Sequence, residues 1–266
     1  MFVRHLLSAA AGAALLLSGA ASAAPNALKS VELYAIDCGR LDLPNADAFS
    51  DDGAYKGMAK KMVVPCYLIR HPKGDLVWDT GLPTSKQMLT DQLKQLGLAP
   101  ADVEYLSLSH GHFDHIGSAG LFAGATWIVD PDEKASLFNE AARKSPQFAA
   151  YASLENAKAK LIEAPTFDVF GDKSVVIYQA PGHTPGHTVL LVRTKGAGNV
   201  LLTGDLWHVA ESRAAKRVPR FNFNRAQTLQ SYELAEKLAA ETKAKVIRQH
   251  VPEDFDALPK FPMPLK

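Results

Sequence analysis

Between Ser109 and His115 the chain reads Ser-His-Gly-His-Phe-Asp-His. His110, His112, Asp114 and His115 thus place three imidazoles and a carboxylate within six residues. These are the donors that zinc, a cation of borderline softness, accepts. A hydrophobic run, Val103–Leu108, leads into the cluster, and Gly111 and Gly117 punctuate it. A strand that ends in a tight loop can aim such side chains at one point, with the two glycines expected to supply backbone freedom. The H-x-H-x-D-H spacing is far more specific than a lone pair of histidines. Further donors follow other strand-like runs: His183 and His187 in Pro181-Gly182-His183-Thr184-Pro185-Gly186-His187, Asp205 after Leu201–Gly204, and His250 after Gln249. His110, His112, His115, His183 and His250 with Asp114 and Asp205 exceed what one tetrahedral zinc needs. Two metals are therefore expected, with a shared carboxylate to offset the repulsion between two dications.

Such donors need a scaffold that delivers loops to one place. Val31–Asp37 alternates like a strand and stops at Cys38-Gly39. The polar, irregular stretch Asp42–Lys61 reads as a long loop, and loops of that length in a compact domain are usually functional or disordered. Val63–Arg70 and Asp75–Asp79 read as strands joined by the turn His71–Gly74, which leaves His71 exposed and inert. Asp79 either orients a metal ligand from behind or caps a turn. Ser85–Leu96 has helical periodicity up to Gly97. Leu121–Asp130 reads as a strand with Trp127 in the core, and Pro131–Ala142 and Pro146–Ala159 read as helices. Phe167–Phe170, Ser174–Gln179, Thr188–Arg193 and Val200–Thr203 are the next candidate strands. A helix over Ala226–Lys243, a short strand Val246-Ile247 and an extended Pro-rich tail, Leu258–Lys266, complete the order. It lacks the strict alternation of a dinucleotide-binding fold, and there is no Gly-rich phosphate loop and no Gly-x-Ser-x-Gly elbow.

A length of 266 residues suits one large domain or two small ones, and 47% hydrophobic with 21% charged residues is ordinary for a globular protein. A net charge of +1 gives no basic face for nucleic acid. Arg4 and His5, the apolar run Leu6–Ala21 and the small residues Ala21-Ser22-Ala23 read as a secretory signal peptide over residues 1–23. That leaves a single domain over 24–266, exported to the periplasm or secreted, with no later run able to span a bilayer. Cys38 and Cys66 lie in apolar, strand-like stretches and are read as two unpaired, buried thiols, although an exported protein could oxidise them.

At this point the chain resembles the metallo-β-lactamase superfamily, and within it the dizinc N-acyl-homoserine lactonases. Besides the histidine cluster, the motifs that carry the resemblance are Cys66-Tyr67-Leu68, Trp78-Asp79-Thr80-Gly81, the Pro181–His187 segment, Leu201-Leu202-Thr203-Gly204-Asp205 and Gln249-His250. The resemblance implies an α/β, four-layer αββα sandwich with its metals at one edge of two sheets. Residue by residue, it implies one zinc held by His110, His112 and His183 and another by Asp114, His115 and His250. Asp205 would bridge them together with a water or hydroxide. The first histidine of the Pro181–His187 motif is the ligand in that pattern, which leaves His187 behind a ligand or in the core. Iron or another divalent metal could replace zinc.

The implied reaction is the opening of a lactone ring, as in quorum quenching, by attack of a metal-bridging hydroxide on a small lactone or ester. Asp114 and His208 would serve as catalytic proton-handling groups. His208 departs from the lactonase pattern, where a tyrosine often stands three residues after the bridging aspartate; imidazole can still donate or shuttle a proton. Phe49, Tyr55, Met58, Phe221 and Phe223 are candidates to line an acyl-chain groove. Arg213, Lys216, Arg217 and Arg220 read as a solvated face. The protein is expected to act as a monomer or homodimer. Rival readings are an arylesterase or organophosphate hydrolase of the same superfamily, a β-lactamase, which Asp205 argues against, a thiolesterase, which would need an extra C-terminal helical domain, and an exported zinc-binding protein without activity.

Overall fold

Strands buried on both faces set the architecture. The computed structural model describes residues 28–266, so the expected signal peptide over 1–23 lies outside the described residues. One sheet holds β1 (Glu32–Leu43), β2 (Lys60–His71), β3 (Gly74–Trp78), β4 (Tyr105–Ser107), β5 (Thr126–Val129) and β6 (Ala159–Leu161) in that order. The second holds β7 (Thr166–Asp168), β8 (Val175–Gln179), β9 (Thr188–Arg193), β10 (Asn199–Leu202) and β11 (Lys245–Ile247), with β11 and β7 at its edges. Helices α1 (Lys86–Gln95), α2 (Phe113–Ile116), α3 (Pro131–Leu137), α4 (Glu140–Arg143), α5 (Ala210–Ala215), α6 (Arg225–Thr242) and α7 (Pro252–Asp256) complete the chain.

The period of two along each strand sorts side chains between layers. Leu190 and Val192 of β9 pack between the sheets with Leu76, Trp78, Ile128, Val200 and Ile247. Val189 and Leu191 point the other way, onto Tyr232, Ala235 and Leu238 of α6. On the first sheet, Val77 and Trp127 turn outward to Leu89 and Leu93 of α1. Both faces of both sheets are therefore covered, and the result is the αββα sandwich. Each enclosed Leu, Val or Ile contributes about 1.5–3 kcal/mol by leaving water, which is why these strands read as nearly unbroken apolar runs.

Several elements differ from the sequence reading. β1 does not stop at Asp37 but continues through a bulge to Leu43, pairing with β2 from Lys60, so the irregular connection is shorter than Asp42–Lys61. The helix expected over Pro131–Ala142 is split, because the Asn139 side chain accepts from Ala142 N and starts a new helix. Pro146–Ala159 forms two 3-10 turns that lead into β6. His71 is buried: its ring stacks on Phe170 at 4.0 Å, and its Nε2 lies 2.9 Å from Asp172 Oδ2. Cys38 and Cys66 are not free thiols but a disulfide between β1 and β2, with 5.7 Å between their Cα atoms. Cys66 faces Ile36 in the ladder, and Cys38 lies two residues beyond Ile36, which brings both sulfurs to one side of it.

Candidate metal centre

β3, β4 and β5 run parallel, and so do β10 and β11. β8 is antiparallel to β9, which is antiparallel to β10, so β8 points the same way as β10. The segments after β3, β4, β8, β10 and β11 consequently emerge at one edge of the sandwich. They carry Asp79, the His110–His115 cluster, His183, Asp205 and His250.

Two groups of donors meet there. His110, His112, His183 and Asp205 offer ligand atoms within 4.8 Å of one another, and Asp114, His115 and His250 do the same. Asp205 lies between the groups. Its Oδ2 is 3.5 Å from His110 Nε2 and 3.4 Å from His183 Nε2, and its Oδ1 is 3.2 Å from His115 Nε2 and 2.9 Å from His250 Nε2. Asp114 Oδ2 is 3.5 Å from His250 Nε2.

Several rings are fixed by their outer nitrogen. His115 Nδ1 meets Asp79 Oδ2 at 2.9 Å, His250 Nδ1 meets the Val63 carbonyl at 2.9 Å, and His110 Nδ1 meets Ser109 Oγ at 3.1 Å. Asp79 also accepts from Ser109 N and Ser109 Oγ, so of its two expected roles it takes the one that braces the His110–His115 cluster from behind. It reaches them from a left-handed backbone, φ 59°, a conformation aspartate tolerates better than most residues. His187 has both nitrogens engaged: Nδ1–H donates to the Ala180 carbonyl and Nε2 accepts from Asp205 N. It is a buried support for Asp205 and has no lone pair left for a metal.

Several inward atoms are left without an aligned partner. His110 Nε2, His115 Nε2 and Asp205 Oδ1 are buried and make no hydrogen bond. His183 Nε2 and His112 Nδ1 face each other at 3.0 Å. Stranding so many polar atoms costs free energy unless a shared partner satisfies them, and the donor set fits divalent cations. Charge agrees with this. Burial drives His112 down to about 3, with the His183 ring adding to it, and burial likewise holds His110 and His187 well below the usual histidine range. Burial alone would lower His115 and raise Asp205; the carboxylates around His115 and the imidazoles around Asp205 outweigh it and push each the other way.

The glycines of the cluster serve space, not dihedral freedom. A Cβ on Gly117 would fall 2.2 Å from the Leu82 and Pro83 backbone, and one on Gly111 would fall 3.0 Å from Glu133 Oε1.

A cavity of about 370 Å³ opens on this edge, lined by Leu41, Leu43, Phe49, Met62, Phe113 and Phe221 together with His112, Asp114, Asp205, His208 and His250. Of the five residues expected to line a groove, Phe49 and Phe221 do so. Tyr55 does not: it is buried beneath the loop, its hydroxyl 3.1 Å from Ser212 Oγ. Met58 and Phe223 stand in solvent at 41% and 63% exposure, away from the cavity. Leu41 and Leu43 were hidden in the sequence because β1 was expected to have ended before them. His208 is buried against the site and held near 4 by burial, against the pull of Asp205. Its Nε2 is 3.0 Å from Asp205 Oδ2, yet not aligned for a hydrogen bond.

Known proteins match this arrangement along most of the chain. N-acyl homoserine lactonase AttM of Azorhizobium caulinodans is 28% identical over 269 residues, covering 88% of this chain and 98% of the relative. An N-acyl homoserine lactonase from a Bacillus species is 30% identical over 258 residues, covering 87% and 97%. The crystal structure of a quorum-quenching N-acyl homoserine lactone hydrolase superposes with a TM-score of 0.76 at 27% identity, covering 90% of this chain and all of that one. Another, an N-acyl homoserine lactone hydrolase with the product N-hexanoyl-L-homoserine at its catalytic metal center, gives 0.74 at 26% identity over 88% of this chain. The model of the metallo-beta-lactamase superfamily matches residues 60–250, a span that takes in all seven donors from His110 to His250, and the chain belongs to that superfamily.

Proposed function

We propose that this protein is a dizinc hydrolase that opens the lactone ring of N-acyl-homoserine lactones. The observation that carries the reading is the pair of donor groups sharing Asp205 at the floor of an apolar cavity. His110, His112 and His183 would hold one zinc, Asp114, His115 and His250 the other, and Asp205 both. Bound zinc supplies Lewis acidity toward a carbonyl oxygen and makes water nucleophilic near neutral pH.

The chain's own residues do the rest. Leu41, Leu43, Phe49, Met62 and Phe221 receive the acyl chain and exclude water from the reacting carbonyl. Burial disfavours the charged form of His208, and its Nε2, without an aligned partner, can donate to the substrate carbonyl or to the oxygen that leaves when the ring opens. Asp114 lines the same cavity and can carry a proton to the leaving oxygen. Lactonase relatives matched over 97–98% of their own length support the substrate class. Export to an oxidising compartment is part of the same proposal, because the Cys38–Cys66 disulfide needs one to form and persist.

The test is a substrate panel on zinc-analysed protein: acyl-homoserine lactones of several chain lengths, an aryl ester, a phosphotriester and a β-lactam. The expected result is the highest kcat/KM on a lactone, with two zinc ions per chain. Turnover of the aryl ester or phosphotriester that exceeds every lactone would replace this reading, and zinc uptake without turnover would leave a binding protein.

A further inference from the structure

Behind the first donor group lies a carboxylate that takes no part in the proposed reaction. Glu133, in the first turn of α3, is 3% exposed. Its Oε1 accepts from Gly111 N at 2.6 Å, and its Oε2 accepts from Thr184 Oγ1 at 2.7 Å and from Gly186 N at 3.0 Å. Gly111 separates His110 from His112, while Thr184 and Gly186 follow His183. One side chain thus ties the loop after β4, in the first sheet, to the loop after β8, in the second. Among the described residues no lysine or arginine pairs with it; three donors from the two loops compensate its charge.

The surroundings are built for this contact. A Cβ on Gly186 would fall 2.4 Å from Asp130 Oδ1 and 2.5 Å from Glu133 N, so only glycine lets α3 press against the His183 loop. Asp130 caps α3 through Asp132 N and Glu133 N, and its other oxygen accepts from Gln179 Nε2 at the end of β8. The helix that presents Glu133 is itself anchored to the strand that presents His183. An apolar side chain would fill the same volume without the cost of a buried charge, so what the carboxylate adds is the fixed spacing of the two loops.

We infer that Glu133 is the positioning residue of the His110–His112–His183 site, setting the three imidazoles across two sheets as Asp79 sets His115 on the other side. The inference rests on the proposed two-metal centre. Positioning partners of metal ligands typically change affinity about 10–100-fold when altered.

The test measures zinc affinity, by competition with a chromogenic chelator that resolves two equivalents, in the full-length protein and in Glu133→Gln, Thr184→Val and Asp79→Asn. Glu133→Gln should weaken one equivalent about 10–100-fold and leave the other unchanged. Thr184→Val should weaken the same equivalent less, and Asp79→Asn should weaken chiefly the other, because Asp79 meets His115 directly and His110 only through Ser109 Oγ. With cobalt in place of zinc, Glu133→Gln should alter the visible spectrum of one equivalent only. Unchanged affinities, equal weakening of both, or loss of the same equivalent in Glu133→Gln and Asp79→Asn would each overturn the inference. If Glu133→Gln does not fold, an unchanged first equivalent in Thr184→Val does so. A wild-type protein that takes up no zinc overturns the metal-centre reading itself, and this inference with it.

Discussion

At the scale of single residues, the site is a set of imidazoles whose two nitrogens have different tasks. His115 and His250 are gripped at Nδ1 and turn Nε2 inward; His187 is gripped at both and turns nothing inward. His208 is the exception: it belongs to neither donor group, yet it lines the cavity and its Nε2 has no aligned partner. A group so placed is available to the substrate. His208→Phe keeps the ring's bulk against Phe49 and Phe221 but removes the donor, and kcat should fall about 10²–10³-fold, the usual cost of losing one such hydrogen bond in a transition state. Zinc content should not change. His208→Tyr, which restores a donor of similar reach, should recover most of the loss. Wild-type kcat in His208→Phe at full metal content would remove His208 from the reaction. The seven candidate donors are legible in the sequence because their types and spacing are chemically unusual. The sequence favours His183 over His187 only through the resemblance and leaves the two roles of Asp79 open, since only the fold shows which nitrogen or oxygen finds a partner.

At the scale of elements, the segment between β1 and β2 is not a free loop. Asp47 pairs with Arg220, Asp51 with Arg225, Asp52 with Arg217 and Lys60 with Glu211. Arg220 N also donates to the Ala48 carbonyl at 2.8 Å. Two of the four basic residues that read as a solvated face, Arg217 and Arg220, thus pair with acidic residues 165 and 173 positions earlier, while Arg213 pairs with Glu236. Charge runs this far apart in sequence give no sign that they meet. The pairs join the segment bearing Phe49 to the one bearing Phe221, whose rings touch edge to face at 5.3 Å over the cavity. Each exposed pair contributes only about 0.2–1 kcal/mol, so one substitution should do little and a double one should be measurable. Asp47→Asn with Asp51→Asn should raise KM for a long-chain lactone about 2–30-fold, the worth of two such pairs, with kcat and zinc content nearly unchanged. High salt should narrow the difference between variant and wild type, because screening weakens the same pairs. Equal KM values at low salt would show that the strap does not shape the cavity.

At the scale of the whole molecule, the sandwich is closed at both edges, and only one closure was legible. The donors come from both sheets: the His110–His115 cluster from the first, His183, Asp205 and His250 from the second. Motif spacing makes that edge visible in advance. At the opposite edge, His71 in the β2–β3 turn stacks on Phe170 and meets Asp172, and Lys73 Nζ donates to the Phe170 carbonyl at 2.7 Å. A histidine in a turn between strands looks inert until the β7–β8 turn of the other sheet is set against it. The two closures differ in what they depend on. Removing bound metal would strand the inward atoms of the first edge and leave the second intact. Ligand held at 1,000 times its Kd stabilises the folded state by about 4 kcal/mol. For a chain of this size each kcal/mol shifts Tm by about 2–4 °C, so chelation should lower Tm by roughly 10 °C or more. Scanning calorimetry with and without chelator, and with zinc added back at increasing concentration, measures this. Amide exchange locates it: Thr188 and Asp205, whose N–H groups bond across the metal edge to the Ser109 carbonyl and to His187, should exchange faster after chelation. Lys73 N, bonded to His71 Nδ1 at the far edge, should not. A metal-free protein with unchanged Tm, or one whose two edges loosen together, would show that the metals do not hold the sheets at that edge.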